Sequence, residues 1–254
     1  MEKTNCEYRD ICVRGGDDYP MVLFPMLGRK IKMDAVIISQ EPAAQRRSID
    51  SPDHKDAIEI HLRNEGLGRK SPHTLLRQIQ DIIGRPFDAF DDSFYWTHSL
   101  KCIPMDDNDI NERGRNEWAK CSLYCINNLT QELKSLDSNS ILIIALGRYA
   151  TGAALAVINN QPEFLKKPPK IHNFIASLGN GGEDRKISSS QSMKHFGPYL
   201  WNDKKFYLTS FRHGANNNRC SGVPKNVLDA VKMNEIEERT FVREWLSGTF
   251  SQGI

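Results

Sequence analysis

The chain has 254 residues, of which 39% are hydrophobic and 26% are charged, and its formal net charge is +2. This length fits one large globular domain, and the charge excludes the strongly basic balance of a non-specific nucleic-acid binder. No apolar run approaches the ~20 residues that a membrane helix needs, and the N-terminus has no signal-peptide core. We therefore expect a cytoplasmic protein with no membrane partner.

The first predicted elements are a strand and a helix that are separated by a long loop. Asp34–Ser39 is a short β-branched apolar run, which predicts a buried strand. The polar stretch 45–70 contains Pro and Gly and predicts a loop. Ser71-Pro72 predicts the start of a helix, which ends at Gly84.

Two more strands and two helices follow in alternation. Ser93–Leu100 is rich in aromatic residues and predicts the second strand. A helix is expected over Glu112–Leu136, and the apolar run Ser140–Leu146 predicts the third strand. An alanine-rich helix then begins after Gly147 and ends near Asn159.

The last third of the chain begins with residues 161–203, where Pro, Gly and Ser runs predict a loop-rich insertion with room for one short hairpin. Lys205–Ser210 predicts the fourth strand, and Pro224 opens a helix that a further helical stretch follows. This alternation predicts a single α/β domain over 1–254. We expect a three-layer α/β/α sandwich with a central four-stranded parallel sheet.

Four polar segments follow the four predicted strands. They are Ser39–Pro42, Thr97–Cys102, Ala145–Arg148 and Arg212–Asn216. Because ligands bind at the carboxyl ends of the strands in an open parallel sheet, we expect these segments to line one cleft.

These segments and their order resemble the uracil-DNA glycosylase superfamily, and the cysteines resemble its iron–sulfur (family 4/5-like) branch. The resemblance covers roughly residues 5–230 through short motifs. It implies a monofunctional DNA glycosylase of base excision repair that hydrolyses the N-glycosidic bond of a deaminated base, with uracil as the first candidate. The implied partner is single- or double-stranded DNA with a damaged base, and we expect a monomer.

Glu41 is the carboxylate of the first segment. The run Ser39-Gln40-Glu41-Pro42 is similar to the Gly-Gln-Asp-Pro motif of the superfamily. By this resemblance, Glu41 places the water that attacks the anomeric carbon and stabilises an oxocarbenium-like sugar. Gln40, Pro42 and Ala43 would line the base pocket.

His213 stands where the superfamily has a His-Pro-Ser motif, and Arg219 follows six residues later, as in the family. The resemblance implies that His213 donates a hydrogen bond to the leaving base. Asn216 would contact the base. Asn218 and Arg219 would wedge into the duplex as the base flips out, and Arg46 would contact DNA.

His98 is the largest departure from the family pattern, which has an Asn near this position to read the edge of uracil. An imidazole offers its donor and acceptor at different angles from an amide. Hypoxanthine, xanthine or another damaged base therefore remains open as the substrate.

Six cysteines in a chain without a signal peptide argue against a disulfide framework. By resemblance, Cys6, Cys12, Cys102 and Cys125 bind a [4Fe–4S] cluster. Cys121 shares a helical face with Cys125 and is its alternative as a ligand. Zinc is the alternative occupant, and buried apolar thiols are the third interpretation.

Two further functions stay open at the level of the sequence. The first is a non-catalytic nucleic-acid-binding member of the same fold, which the replacement of the family Gly by Ser39 and of the Asn by His98 suggests. The second is a small-molecule nucleoside-processing α/β enzyme, although the chain has no Gly-rich phosphate loop.

Overall fold

The computed structural model describes much of the chain from residue 34 onward and one isolated residue before it. The described residues are 12, 34–40, 74–86, 94–101, 109–178, 184–188, 191–194, 197–213 and 222–249.

The strands within these ranges form a large sheet and a separate hairpin. They are β1 (Ala35–Ser39), β2 (Tyr95–His98), β3 (Ser140–Leu146), β4 (Asp184–Ser188), β5 (Gln191–Lys194), β6 (Tyr199–Trp201) and β7 (Lys204–Phe211). The large sheet has five strands in the order β2-β1-β3-β7-β6, and β4 pairs only with β5.

Four strands of the large sheet run parallel, and β6 is antiparallel to β7. The four predicted strands and their parallel arrangement are confirmed. The predicted strand number is wrong, because the sheet gains β6 as a short fifth strand at its edge. The protein is thus an α/β structure with a five-stranded, mostly parallel sheet.

The helices cover both faces of this sheet. They are α1 (Thr74–Ile83), α2 (Asp109–Ser135), α3 (Arg148–Ile158), α4 (Glu163–Lys166), α5 (Ile171–Leu178) and α6 (Lys225–Leu246). None of the helices in the described ranges is long and apolar enough to cross a membrane.

Alternation along the strands divides the core into two clusters. In β1, Val36 and Ile38 point to the cluster that contains apolar residues of α2 and α3. Ala35 and Ile37 point to the opposite cluster, which contains residues of α1 and α6. Each fully buried aliphatic side chain contributes about 1.5–3 kcal/mol to folding, which explains why such continuous apolar strands lie at the centre of the sheet.

The region 161–203 has more regular structure than the sequence predicts. It contains α4, α5, the hairpin of β4 and β5, and the edge strand β6. The C-terminal helical stretches also differ from expectation, because they form one continuous helix of 22 residues, α6.

Candidate functional site

The parallel strands end at a common level, which we call the carboxyl edge. Ser39 at the end of β1 lies opposite His98 at the end of β2. Leu146 at the end of β3 lies opposite Phe211 at the end of β7. The edge therefore carries the described parts of all four predicted segments, which are residues 39–40, 97–101, 145–148 and 212–213.

Several predicted site residues lie outside the described residues. They are Glu41, Pro42, Ala43, Arg46, Asn216, Asn218, Arg219, Cys6 and Cys102. Gln40, His98 and His213 are the described members of the predicted pocket, and all three stand on the carboxyl edge.

His98 is held by Ser39, its neighbour across the strands. The Ser39 hydroxyl is in contact with His98 Nδ1. Trp96 Nε1 also donates to Ser39 Oγ at 3.1 Å, and the Trp96 ring packs edge-on against the imidazole at 5.7 Å between centroids. Because His98 is only 1% exposed, its ring is fixed by these neighbours.

Gln40 joins the ends of β1 and β2 through its backbone. Its carbonyl oxygen accepts hydrogen bonds from Leu100 N at 2.9 Å and from Ser99 Oγ at 2.7 Å. Ser39 O accepts a third bond from Ser99 N at 2.8 Å. The backbone that leads into Glu41 is therefore anchored up to residue 40.

Gly147 lies directly against His213 at the other half of the edge. Gly147 has a φ of 89° and a ψ of 171°, a conformation open essentially to glycine alone. A Cβ at this position would lie 3.1 Å from His213 Cβ. Gly147 N also donates to Phe211 O at 2.8 Å, so the turn after β3 and the end of β7 are in direct contact.

Arg212, next to His213, is fixed by α6. Its guanidinium makes two hydrogen bonds to the Glu235 carboxylate, at 2.9 Å and 2.7 Å, and the Gln78 amide donates to its carbonyl oxygen. His172 of α5 adjoins this pair: its burial and the positive charge of Arg212 lower the pKa of His172, and the Glu235 charge partly offsets them. Sequence reasoning missed Glu235 and His172, since no spacing along the chain links either residue to β7.

A buried polar cluster lies on the opposite face of β2. Lys101 Nζ donates to Glu132 Oε2 at 2.7 Å and to Thr97 Oγ1 at 2.5 Å, and Thr97 Oγ1 donates to Glu132 Oε2 at 2.7 Å. Burial, and then the Glu132 charge, raise the pKa of Tyr95 well above its ordinary value, so its hydroxyl stays protonated. The sequence carried no signal for this cluster beyond a lysine close to a strand end.

Two of the predicted metal ligands, Cys12 and Cys121, are in contact with each other. Cys12 Sγ lies 3.8 Å from Cys121 Sγ, so the cysteine in contact with Cys12 is the alternative ligand Cys121. Cys125 is buried in the same helix. Within the described ranges, no three His, Cys, Asp or Glu side chains are close enough together to hold a metal ion.

The separation of these sulfurs bears on which metal fits. Two thiolates on one tetrahedral zinc, with Zn–S bonds of about 2.3 Å, lie about 3.8 Å apart. In a [4Fe–4S] cluster each thiolate binds a different iron, which places the sulfurs farther apart. Cys12 and Cys121 as placed therefore suit one shared metal ion, and they would have to separate to hold a cluster.

A group of basic residues flanks the edge beside α3. Lys166, Lys167 and Lys170 are exposed around α4 and the turn that follows it. Arg148, the first residue of α3, donates to Pro168 O at 3.2 Å and connects this turn to the carboxyl edge. Three exposed lysines within five residues of the chain are suited to bind phosphate oxygens.

No protein-family model matches the chain, and no curated protein sequence matches it significantly.

Proposed function

We propose that this protein is a monofunctional DNA glycosylase with a uracil-DNA glycosylase-like fold, which hydrolyses the N-glycosidic bond of a deaminated base. The observation that supports the proposal is the placement of Gln40, His98, Gly147 and His213 at the carboxyl ends of the parallel strands. Glu41 directly follows Gln40 in the chain. With Glu41, this edge would combine the residue types that base release requires.

The reaction needs an attacking water, a stabilised sugar cation and a stabilised leaving base. Glu41 would orient the water and stabilise the oxocarbenium-like sugar. His213 would donate a hydrogen bond to the base as negative charge develops on it. His98 would contact the edge of the flipped base.

A hydrolytic rather than a lyase mechanism is supported by the state of Lys101. A lyase step needs an accessible neutral amine that attacks the sugar. Lys101 follows β2 directly, but it is 1% exposed and forms an ion pair with Glu132. Its amine is therefore unsuited to form a Schiff base.

DNA would approach across the basic residues beside α3. Lys166, Lys167 and Lys170 would bind backbone phosphates without reading sequence. By resemblance, Asn218 and Arg219 would wedge into the duplex as the base flips out, and Arg46 would contact DNA.

A thiolate metal centre would have a structural role, because base hydrolysis requires no redox chemistry. The resemblance implies a [4Fe–4S] cluster on Cys6, Cys12, Cys102 and one helical cysteine. The contact of Cys12 with Cys121 supports Cys121 as that helical ligand, and the 3.8 Å separation of their sulfurs favours zinc.

The test is base release from labelled oligonucleotides, single- and double-stranded, that carry uracil, hypoxanthine or xanthine, followed by alkaline cleavage of abasic sites. We expect one or more bases to be released, and Glu41→Gln to lose roughly 100- to 10,000-fold in rate while it still binds DNA. Glu163→Gln, an exposed acid on α4, is the matched control and should retain full activity. Blank lanes from metal-loaded protein that still binds DNA would contradict the proposal.

The second candidate is a non-catalytic nucleic-acid-binding protein of the same fold. The burial of His98 and its bond to Ser39 favour it, because a residue so enclosed has little surface left for a base. In that case the wild-type protein would release no base, and Glu41→Gln would leave DNA binding unchanged.

A further inference from the structure

Arg212, the residue before His213, is held at its backbone N–H, at its side chain and at its carbonyl oxygen. The backbone N–H donates to Glu235 Oε1 at 3.2 Å. Nε and Nη2 of the guanidinium donate to the two oxygens of the same carboxylate, at 2.9 Å and 2.7 Å. The side-chain amide of Gln78 donates to the carbonyl oxygen. Both the main chain and the side chain of Arg212 are therefore fixed, by residues of α6 and α1.

These contacts reach His213 through the peptide bond. The carbonyl oxygen of Arg212 lies in the planar peptide unit that also contains the N and Cα atoms of His213. The bond from Gln78 to that oxygen therefore restrains the plane, and with it the Cα of His213. Gly147 adds a steric limit, because even a Cβ built on it would lie 3.1 Å from His213 Cβ.

The burial of the Arg212–Glu235 pair indicates a role in geometry rather than in stability. The two side chains are 18% and 6% exposed. Withdrawal of two charges from water offsets most of their attraction, so a buried ion pair adds little net stability. A bidentate arginine–carboxylate pair does fix the distance and the angle between its partners.

We propose that Glu235 and Gln78 are positioning residues, which fix the Arg212–His213 peptide so that the His213 imidazole meets the leaving base at hydrogen-bond distance. The restraint on Arg212 depends only on these contacts, and its effect on base release rests on the proposed function. Because a misplacement of about 1 Å can lower a rate by about 100-fold, a small loosening of this peptide is measurable as a loss of rate.

The variant that separates positioning from stability is Arg212→Met/Glu235→Leu. Replacement of both partners of a buried ion pair by apolar residues of similar size is often neutral for stability, so we expect a urea midpoint close to that of the wild type. The matched control is Arg239→Gln/Asp81→Asn. It removes another ion pair of α6, at 2.9 Å, which joins α6 to α1 rather than to the end of β7.

The first experiment measures hydrogen exchange of the backbone amide at position 212 by NMR, in the protein without DNA. We expect this amide to exchange roughly ten- to a hundredfold faster in Arg212→Met/Glu235→Leu than in the wild type, since it loses a charged acceptor. The control should keep the wild-type rate. Unchanged exchange in the double variant, or equal acceleration in the control, would overturn the restraint.

The second experiment measures the single-turnover rate of base release and, separately, the affinity for DNA. We expect Arg212→Met/Glu235→Leu to lower the rate roughly ten- to a hundredfold while the affinity for DNA stays unchanged. Gln78→Leu should also lower the rate, and the control should keep it. A wild-type rate in the double variant would refute the positioning role, and so would a loss of DNA affinity without a loss of rate.

A His213→Asn background shows whether the effect passes through His213. If Glu235 acts by positioning this imidazole, the double variant should cause no further loss of rate once the imidazole is absent. The same fold-loss with and without His213 would show that the pair acts on another part of the protein, which would contradict the proposal.

The two experiments also separate this proposal from the proposed function. If the wild-type protein releases no base, the glycosylase function and the role of Glu235 and Gln78 in the reaction are both overturned, and the exchange data then report only on local order. If bases are released and the double variant keeps the wild-type rate, the function stands and the positioning role is overturned.

Discussion

Lys101 Nζ lies 2.7 Å from Glu132 Oε2, and the two side chains are 1% and 3% exposed. The pair joins the segment after β2 to the last turn of α2. Because both charges are buried away from water, each is compensated by the opposite charge of its partner. The backbone that carries His98 is therefore held from the face of the sheet opposite to Ser39.

Removal of one partner of this pair should destabilise the protein strongly. Lys101→Met leaves the Glu132 carboxylate buried and uncompensated, and we expect the free energy of unfolding to fall by about 3–5 kcal/mol. The double variant Lys101→Met/Glu132→Leu should recover most of this loss. Equilibrium unfolding in urea measures both values. Lys120→Met, an exposed substitution on α2, is the control. If Lys101→Met had the same free energy of unfolding as Lys120→Met, the prediction would be wrong.

Gly147→Ala should affect both stability and the position of His213. The added Cβ would occupy a glycine-only conformation and lie 3.1 Å from His213 Cβ. We expect a loss of about 1–3 kcal/mol in stability and a lower rate of base release. Gly248→Ala is the matched control, since Gly248 also has a positive φ, of 72°, but meets no neighbouring atom within 4 Å. Gly248→Ala should lose stability alone; equal loss of activity in both variants would refute a specific effect on His213.

Replacement of individual cysteines should show which helical thiol binds metal. We expect Cys121→Ser to reduce bound metal and Cys125→Ser to retain it, because Cys12 contacts Cys121. Elemental analysis of purified protein for iron and zinc, together with assay of acid-labile sulfide, gives the readout. Zinc is the result that the sulfur separation favours, and iron with sulfide is the result that the resemblance implies. Metal loss in Cys125→Ser alone would contradict the assignment of Cys121.

His172 should make stability depend on pH. Its folded-state pKa lies below the ordinary value of 6.5, first through burial and then through Arg212. Between pH 6.5 and that lower pKa, the unfolded chain binds a proton that the folded protein does not. The free energy of unfolding should therefore decrease as the pH falls through this window. Urea unfolding across the window should show a shallower decrease for His172→Gln, while the exposed neighbour change Asn173→Gln keeps the wild-type slope.

The central strands could be predicted from the sequence because apolar, β-branched runs mark strands that are buried on both faces. The predicted bounds of Ser140–Leu146 agree with β3 at both ends. The edge strand β6 has only three residues and exposes Leu200, so it carries no comparable pattern. In the region 161–203, four prolines suggested loops, yet short helices form between them.

The position of the site could be predicted because parallel strands bring their carboxyl ends to one edge. The side chains that contact the site residues could not be predicted from the sequence. Ser39 and His98 are 59 residues apart in the chain, and Lys101 and Glu132 are 31 apart. Such pairs form only once the sheet and helices pack, and neither residue type nor local spacing distinguishes them beforehand.

The helix α6 contacts α5, the end of β7 and α1 at successive points along its length. Asn234 donates to the Ile175 carbonyl oxygen of α5, Glu235 binds Arg212 of the edge, and Arg243 donates to backbone carbonyls of α1. A displacement of α6 would therefore change its contacts with α5, with the end of β7 and with α1 at the same time. Substitutions along α6, even far from the carboxyl edge, should therefore alter how rigidly Arg212 and the end of β7 are held.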